Sequence, residues 1–272
     1  MGVLMHYRYY SLLLIITILF SGFVNIFHFE NINMQVEAKS IYVDCNGYGN
    51  HTTIQAAINA ANLGDTIYVW NGTYNEDIIV NKRVTIIGNG TVNTTINGTG
   101  NGNVILVTVD YVNISGFKVI GSGSDQLDAG IQLNGVAFCS IVNNNISNNN
   151  AIGIFINQSF LNTIANNTCI SNVGSGIRIG AWPTFSDYNK VTNNTCNSNN
   201  FYGIYLFYAN SNIIENNTCN SNMYNGIWLG HSDFNTIRRN ICTPYKYFGI
   251  YLVVGQNYFL PIHSILCHRE VQ

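Results

Sequence analysis

Charge is scarce in this 272-residue chain, because charged side chains make up only 9% of it and the formal net charge is −2. A protein that binds nucleic acid needs a basic face for the phosphates, so this composition excludes nucleic acid as a partner. Only three prolines occur, whereas apolar residues reach 47%. That apolar content excludes a disordered chain. The sequence therefore predicts a folded protein whose connections are turns rich in Asn and Gly.

Long apolar runs are absent except for one near the N-terminus, over residues 12–29. Its length lies between that of a signal-peptide core and that of a membrane-spanning helix. The stretch Val36-Glu37-Ala38 offers the small-residue end that a signal peptidase accepts. We expect residues 1–38 to be a signal peptide or a membrane anchor, and either one predicts an extracellular or cell-surface location. Eleven Asn-x-Ser/Thr sequons agree with export.

An internal repeat is the strongest signal in the chain. A Gly-Ile-x-aliphatic unit recurs every 23 residues, with one longer interval of 27 that contains residues 182–185 as a loop insertion. A second unit, typified by Ile-x-Asn-Asn-Thr-Cys, keeps the same spacing. The glycines of the first unit are Gly130, Gly153, Gly176, Gly203, Gly226 and Gly249.

Each period holds short strands separated by turns, and such strands cannot pair within one period. They must pair in parallel with the equivalent strands one period along the chain. This predicts an all-β, right-handed parallel β-helix over residues 65–252, with a rise of ~4.8 Å per coil. Residues 39–64 are expected to form an N-terminal strand and a short capping α-helix with Thr52 or Thr53 as its N-cap. For residues 253–272, an irregular cap and a truncated end are both open.

Strand alternation predicts two ladders that point into the β-helix. Stacked asparagines can bond one another and the turn backbone, which satisfies groups that would otherwise be buried unpaired. Buried cysteines behave as small apolar core residues, and seven cysteines without a pairing pattern predict free thiols. The asparagine ladder contains Asn167, Asn194, Asn217 and Asn240, and the cysteine ladder contains Cys169, Cys196, Cys219 and Cys242.

The start of the repeat region resembles that of archaeal and bacterial surface proteins with a right-handed parallel β-helix. This group includes NosD-type copper-associated proteins and carbohydrate-binding and sugar-hydrolysis domains. The resemblance spans roughly residues 41–252 and implies the fold. It implies little about activity, because the repeat motifs are scaffold residues. The matching motifs are Ile41-Tyr42-Val43-Asp44, Thr53-Ile54-Gln55-Ala56-Ala57-Ile58 and Gly64-Asp65-Thr66-Ile67-Tyr68-Val69.

The outward position of the Gly-Ile-x-aliphatic unit carries mostly aromatic rings. Flat rings with polar edges suit stacking on sugars, so the pattern predicts a polysaccharide or cell-envelope glycan as the partner. One alternative is a ladder of rings that only stabilises the strands. Another is a patch that a partner protein domain covers. The candidate residues are Phe155, Arg178, Tyr205, Trp228 and Tyr251 on the strand, with Tyr202 and Tyr224 beside it.

Paired carboxylates are missing from this strand, because no Asp-Asp or Asp-x-Asp pair lies on it. A polysaccharide lyase or hydrolase needs such a pair, or a basic residue beside a Ca²⁺ site. We therefore expect a non-catalytic protein that binds glycan or serves as an envelope scaffold. The alternative is a lyase-like or hydrolase-like enzyme that uses Asp187, Asp233 and Arg178.

No cofactor is expected, although two metal hypotheses stay open. Asp187, His231 and Asp233 lie close together in the repeat and could bind Ca²⁺ through oxygen ligands. The alternative is that these aspartates form Asx turns. Copper handling of the NosD type through Cys196 and Cys219 is the third functional hypothesis, but an inward column gives a metal no access.

Overall fold

A computed structural model describes residues 37–243 and 246–253. The expected signal peptide or anchor falls almost entirely outside these residues, and so does the irregular end at 253–272 apart from its first residue. Within the described part of the chain, the single helix is a short capping helix, and none has the length and apolarity to cross a membrane.

Short strands form three parallel sheets, here named A, B and C. Sheet A contains β1 (Ser40–Val43), β2 (Thr66–Val69), β5 (Thr85–Gly88), β8 (Asn113–Ser115), β11 (Ser140–Val142), β14 (Thr163–Ala165), β17 (Lys190–Thr192), β19 (Ile213–Glu215) and β21 (Thr236–Arg238). Sheet B contains β3 (Gly72–Asn75), β6 (Thr94–Asn97), β9 (Lys118–Ile120), β12 (Asn145–Ser147) and β15 (Thr168–Ile170). Sheet C contains β4 (Ile78–Val80), β7 (Ile105–Val107), β10 (Ala129–Asn134), β13 (Ile152–Asn157), β16 (Ile177–Ile179), β18 (Ile204–Phe207), β20 (Ile227–Gly230) and β22 (Ile250–Val253).

Each strand pairs in parallel with the equivalent strand of the next coil. In sheet C, for example, Ile177 lies opposite Ile204, and Ile204 lies opposite Ile227. Sheet B continues past β15 as single bridges between Thr168, Thr195 and Thr218. The chain therefore winds through sheets A, B and C in every full coil, and the predicted parallel β-helix is confirmed.

The core is a set of aliphatic columns inside this helix. Ile154, Ile177 and Ile204 from sheet C are fully buried, as are Ile164 and Val191 from sheet A. They are buried because side chains alternate along a strand, so every second residue of each short strand points to the axis. The same alternation sends the residues between them outward, which is how the repeat places a row of side chains on each outer face.

Asparagine ladders close the turns between the sheets. Asn167 and Asn194 are buried, and the Asn167 Nδ2 donates to Asn194 Oδ1 over 3.1 Å. Two further ladders of the same geometry occur at other turns, the first of them at a column that the repeat also predicts to point inward. Their members are Asn162, Asn189, Asn212 and Asn235 in one and Asn149, Asn172, Asn199 and Asn222 in the other.

A short helix, α1 (Ile54–Ala60), lies at the N-terminal end of the coil stack and contacts strands β1, β2 and β4. Thr53 is its N-cap, and the Thr53 side chain accepts a hydrogen bond from the backbone N–H of Ala56. Its apolar side, which includes the buried Ile54 and Ile58, faces the first coil. A solenoid needs such a cover, because an open terminal coil exposes apolar side chains and unpaired backbone groups.

Candidate functional site

The outer face of sheet C carries the row of side chains that the repeat predicts. Arg178 lies opposite Tyr205, Tyr205 lies opposite Trp228, and Trp228 lies opposite Tyr251. Parallel strands are about 4.8 Å apart, so these side chains are immediate neighbours along the axis. Tyr205 and Trp228 are half-buried, and their ring centroids are 4.9 Å apart.

Rings from the turn that precedes sheet C extend this row to one side. The Tyr202 ring stacks on Trp228 with centroids 5.7 Å apart and an interplanar angle of 16°. Phe201 lies 5.0 Å from Tyr224. Tyr224 in turn stacks on Tyr247 at 5.4 Å. The rings of three successive coils are thus in direct contact.

Rings from the turn that follows sheet C extend the row to the other side. Phe207 lies 6.0 Å from Tyr205 and 4.7 Å from Tyr208, measured between ring centroids. The loop insertion then adds Trp182, whose ring lies 4.9 Å from Tyr208, and Phe185 at 5.7 Å. The sequence analysis did not include these four residues, although the longer interval of the repeat marked the insertion that carries two of them.

These rings form one continuous patch, which we call the aromatic surface. It crosses the full width of sheet C over its last coils. Its centre is half-buried, whereas its margins are exposed, with Trp182 at 67% and Tyr247 at 46%. The members are Trp182, Phe185, Phe201, Tyr202, Tyr205, Phe207, Tyr208, Tyr224, Trp228 and Tyr247, with the stacked pair Phe248 and Tyr251 next to Trp228 along the axis.

Phe155 corrects one expectation, because its ring is fully buried rather than exposed. It points away from the axis, as alternation requires, but it packs in a separate small cluster with Ala129, Ile152 and Ala181. Ala181 directly precedes the loop insertion, so a neighbouring turn covers the ring. Phe155 therefore offers no face to a ligand.

Arg178 lies between two rings at the edge of the aromatic surface. Its guanidinium carbon is 5.1 Å from the Phe155 centroid and 5.2 Å from the Tyr205 centroid. Its Nε donates to the carbonyl of Gly180 over 3.3 Å. Burial lowers the pKa of Arg178. In the described part of the chain Arg178 makes no ion pair, and its guanidinium contacts the two rings through cation–π interactions.

The tyrosines of the aromatic surface are neutral hydrogen-bond donors. Burial raises the pKa of Tyr205, and the charge of Arg178 opposes this shift. Burial also raises the pKa of Tyr202. Both phenols therefore keep their protons well above neutral pH. A neutral ring with an O–H at its edge is the combination that can stack on a sugar and bond to its hydroxyl groups.

The three residues proposed for Ca²⁺ make contacts with the backbone and with a ring. Asp187 Oδ1 accepts from the backbone N–H of Asn210, and Asn210 Oδ1 accepts from the backbone N–H of Asp233, each over 2.7 Å. His231 instead stacks on Tyr208 at 5.1 Å. No cluster of three or more His, Cys, Asp or Glu side chains suited to a metal occurs among residues 37–243 and 246–253. Asp187 and Asn210 serve as turn-to-turn bridges.

The four cysteines of the predicted ladder lie inside the core. Cys169, Cys196 and Cys219 are fully buried, and Cys242 is 1% exposed. All four are free thiols. Burial raises the pKa of Cys169, Cys196 and Cys219 well above the ordinary thiol value. Thiols that are protonated and enclosed are poor metal ligands, so this geometry disfavours copper handling.

Comparisons with known proteins agree with the geometry. Residues 129–260 match the family model described as "Right handed beta helix region". A cell surface glycoprotein of Methanothermus fervidus is 32% identical over 195 residues, which cover 59% of this chain. The chain spans only about a third of that relative's length, since the match covers 32% of it.

Two solved structures have the same fold. The pectate lyase Pel9A superposes with a TM-score of 0.57 at 14% identity, covering 83% of this chain and 81% of its own. The Dettilon tailspike protein superposes with a TM-score of 0.55 at 14% identity, covering 78% of this chain and 46% of its own. At such low identity these likenesses show the right-handed β-helix fold alone.

Proposed function

We propose that this chain is the β-helix of an exported cell-surface protein and that it binds polysaccharide, without cleaving it, through the aromatic surface. The observation that carries the proposal is the continuity of the rings across sheet C. A monomeric soluble protein rarely exposes so large a patch of aromatic side chains unless it contacts something. The repeat places the patch on a rigid scaffold, which lowers the entropic cost of binding.

The geometry of the rings favours a sugar over a protein partner. Protein interfaces draw their energy from apolar side chains that become fully enclosed. Here the central rings of Tyr202, Tyr205 and Trp228 are already packed against one another, so they present edges and partial faces in a shallow patch. Sugar rings can stack on such faces while their hydroxyl groups bond to the phenol edges and to Arg178.

Two observations support a cell-surface location. One is the apolar run near the N-terminus, which is typical of exported chains. The other is the similarity to a protein named as a cell surface glycoprotein. Pectate lyase and tailspike structures support contact with polysaccharide only in the general sense that this fold presents long flat faces on which such polymers can lie.

An enzyme of the lyase or hydrolase type is the second candidate, and the fold of Pel9A is the reason to test it. Asp187 and Asp233 are the acidic residues proposed for it. Asp187 is engaged with the backbone of Asn210. Arg178 stacks between the rings of Phe155 and Tyr205. Burial raises the pKa of the Asp187 carboxyl, although the backbone N–H of Asn210 opposes the shift. A hydrolase of this fold needs a second carboxylate beside the first.

The test is binding of the purified full chain to an array of neutral and acidic polysaccharides. We expect Trp228→Ala to weaken binding at least about fivefold, because stacking of one ring contributes about 1 kcal/mol or more. Tyr68→Ala is the matched control. Tyr68 is also an outward ring on a strand, but it lies on sheet A beside Tyr42, so its loss should leave binding unchanged.

Two outcomes would count against the proposal. Equal loss of binding in Trp228→Ala and Tyr68→Ala would show that the aromatic surface is not the site. Release of new reducing ends from a bound polysaccharide, abolished by Asp233→Asn, would favour the enzyme instead.

A further inference from the structure

Three of the eleven Asn-x-Ser/Thr sequons lie one above the other on a single ridge. Asn166, Asn193 and Asn216 occupy equivalent positions in successive coils, at the turn between sheets A and B. Each is exposed, and each has a left-handed backbone with φ of 56°. The next residue in each coil is a buried member of the asparagine ladder. The left-handed turn therefore sends one asparagine into the interior and holds its neighbour out in solvent.

The side-chain amides of these three asparagines are free. None of them takes part in a hydrogen bond with another described residue, whereas most other sequon amides do. Asn97 Nδ2 donates to Asn75, and Asn157 Nδ2 donates to Asn134. Asn145 is half-buried, with its Oδ1 enclosed and unpaired. A side-chain nitrogen can be modified only if it is exposed and is not held in a hydrogen bond. The ridge meets both conditions in three successive coils.

The hydroxyl residues of the same sequons are equally well placed. Thr168, Thr195 and Thr218 follow two residues later and pair through backbone bridges at the start of sheet B. They are half-exposed, and none of their hydroxyl groups has a hydrogen-bond partner among the described residues. Each sequon thus presents its amide and its hydroxyl on the same turn.

We propose that Asn166, Asn193 and Asn216 are N-glycosylated during or after export and form a glycan ridge along the β-helix. The co-reactant is an oligosaccharide linked to a lipid through a diphosphate. The asparagine Nδ2 forms a bond to the anomeric carbon, the bond from that carbon to the diphosphate oxygen breaks, the lipid diphosphate leaves, and the amide gives up one proton. The amide remains neutral and keeps one N–H.

The position of the ridge is compatible with the aromatic surface. The ridge lies at the corner shared by sheets A and B, whereas the aromatic surface covers sheet C and the two turns that flank it. The glycosylated asparagines of neighbouring coils are about 4.8 Å apart along the axis, so their glycans cover one side of the coil stack densely. Sheet C stays uncovered. The inference does not depend on the proposed sugar binding, since it rests on other residues.

The test is glycopeptide mass spectrometry of the full chain purified from the cells that produce it. We expect glycan on peptides that carry Asn166, Asn193 and Asn216, and none on the half-buried Asn145. Thr195→Val is the informative variant. It removes the sequon hydroxyl but keeps Asn193 and the β-branched shape that suits the bridge, whereas a bulkier residue at position 193 would have to adopt the left-handed backbone.

In Thr195→Val we expect loss of glycan from Asn193 alone, with Asn166 and Asn216 still modified and an unchanged circular dichroism spectrum. The proposal is overturned if all three asparagines are unmodified in protein recovered from the cell surface. It is also overturned if Thr195→Val retains its glycan on Asn193.

Discussion

At the scale of the residue, each buried asparagine of a ladder supplies the hydrogen bonds that the backbone groups of the turns need. Asn194 is 1% exposed. Its Nδ2 donates to the carbonyl oxygens of Ile164 and Thr192 and to Asn217 Oδ1, while its Oδ1 accepts from the backbone N–H of Asn167. One side chain therefore satisfies backbone groups in two coils. Burial of those groups without partners would cost more than the bonds contribute.

We expect Asn194→Ala to lower the free energy of unfolding by about 3 kcal/mol or more, because several buried donors and acceptors lose their partner at once. Urea denaturation of the purified chain measures this difference. Asn193→Gly is the matched control. Asn193 is the exposed neighbour with a left-handed backbone that glycine adopts freely. A small effect of Asn194→Ala, equal to that of Asn193→Gly, would contradict the role given to the ladder.

Glu215 shows how neighbouring coils couple through charge. Its carboxylate lies 2.8 Å from Arg238 and 3.5 Å from Arg239 of the next coil. The hydrogen bond from Arg238 lowers the pKa of Glu215, although burial opposes the shift. The folded pKa thus lies below the unfolded one. Ionised Glu215 therefore stabilises the fold above the ordinary carboxyl pKa, and this contribution is lost as pH falls through the folded pKa.

We expect Glu215→Gln to lower Tm at neutral pH, with the gap to the unmodified chain closing as the pH falls to about 3. Differential scanning calorimetry across this pH range measures the gap. Asp125→Asn is the control, because it removes an exposed carboxylate that forms no ion pair among residues 37–243 and 246–253. A gap that stays constant or widens in acid would contradict the assignment.

At the scale of the element, the repeat unit determines whether a side chain points inward or outward, but it does not determine whether a neighbouring turn buries an outward side chain. The Gly-Ile-x-aliphatic pattern correctly predicted which residues of β13, β16, β18 and β20 point inward, because alternation along a strand is set by backbone geometry. It could not predict that Phe155 is buried. That depends on a neighbouring turn, and turns that carry insertions follow no repeat. The same reason explains why Trp182 was not expected in the aromatic surface.

Other elements can be predicted from the sequence. The ladder of Asn149, Asn172, Asn199 and Asn222 keeps the same intervals as the repeat glycines, so the same argument would have found it. The capping helix followed from its Thr53 N-cap and its apolar spacing. The positions of Asp187, His231 and Asp233 in the repeat do not determine whether their side chains converge, and the described residues contain no cluster of three or more His, Cys, Asp or Glu side chains suited to a metal.

The cysteine ladder is an element whose reactivity follows from its burial. Only thiolates react readily with alkylating reagents, and burial raises the pKa of the inner thiols. We expect iodoacetamide to label the exposed Cys45 in the folded chain. Labelling of Cys169, Cys196 and Cys219 should require denaturant. Peptide mapping identifies the labelled positions, and rapid labelling of Cys196 in the folded chain would contradict a closed core.

At the scale of the whole molecule, the coils stack so that each outer face becomes a long, flat strip with its own chemistry. The strip on sheet C carries the aromatic surface over its last coils. The corner between sheets A and B carries the asparagines with free amides. Both features arise from the same repeat, because a residue placed once per coil becomes a row in the folded molecule. Binding and modification can therefore occupy different sides of one scaffold.

The central claim is that polysaccharide lies on the aromatic surface of sheet C. A crystal structure of the chain soaked with an oligosaccharide selected by array binding tests it most directly. The account predicts sugar rings parallel to the rings of Trp228 and Tyr202, with hydroxyl groups bonded to Tyr205 or Arg178. Sugar bound to any other face, with sheet C left empty, would contradict it.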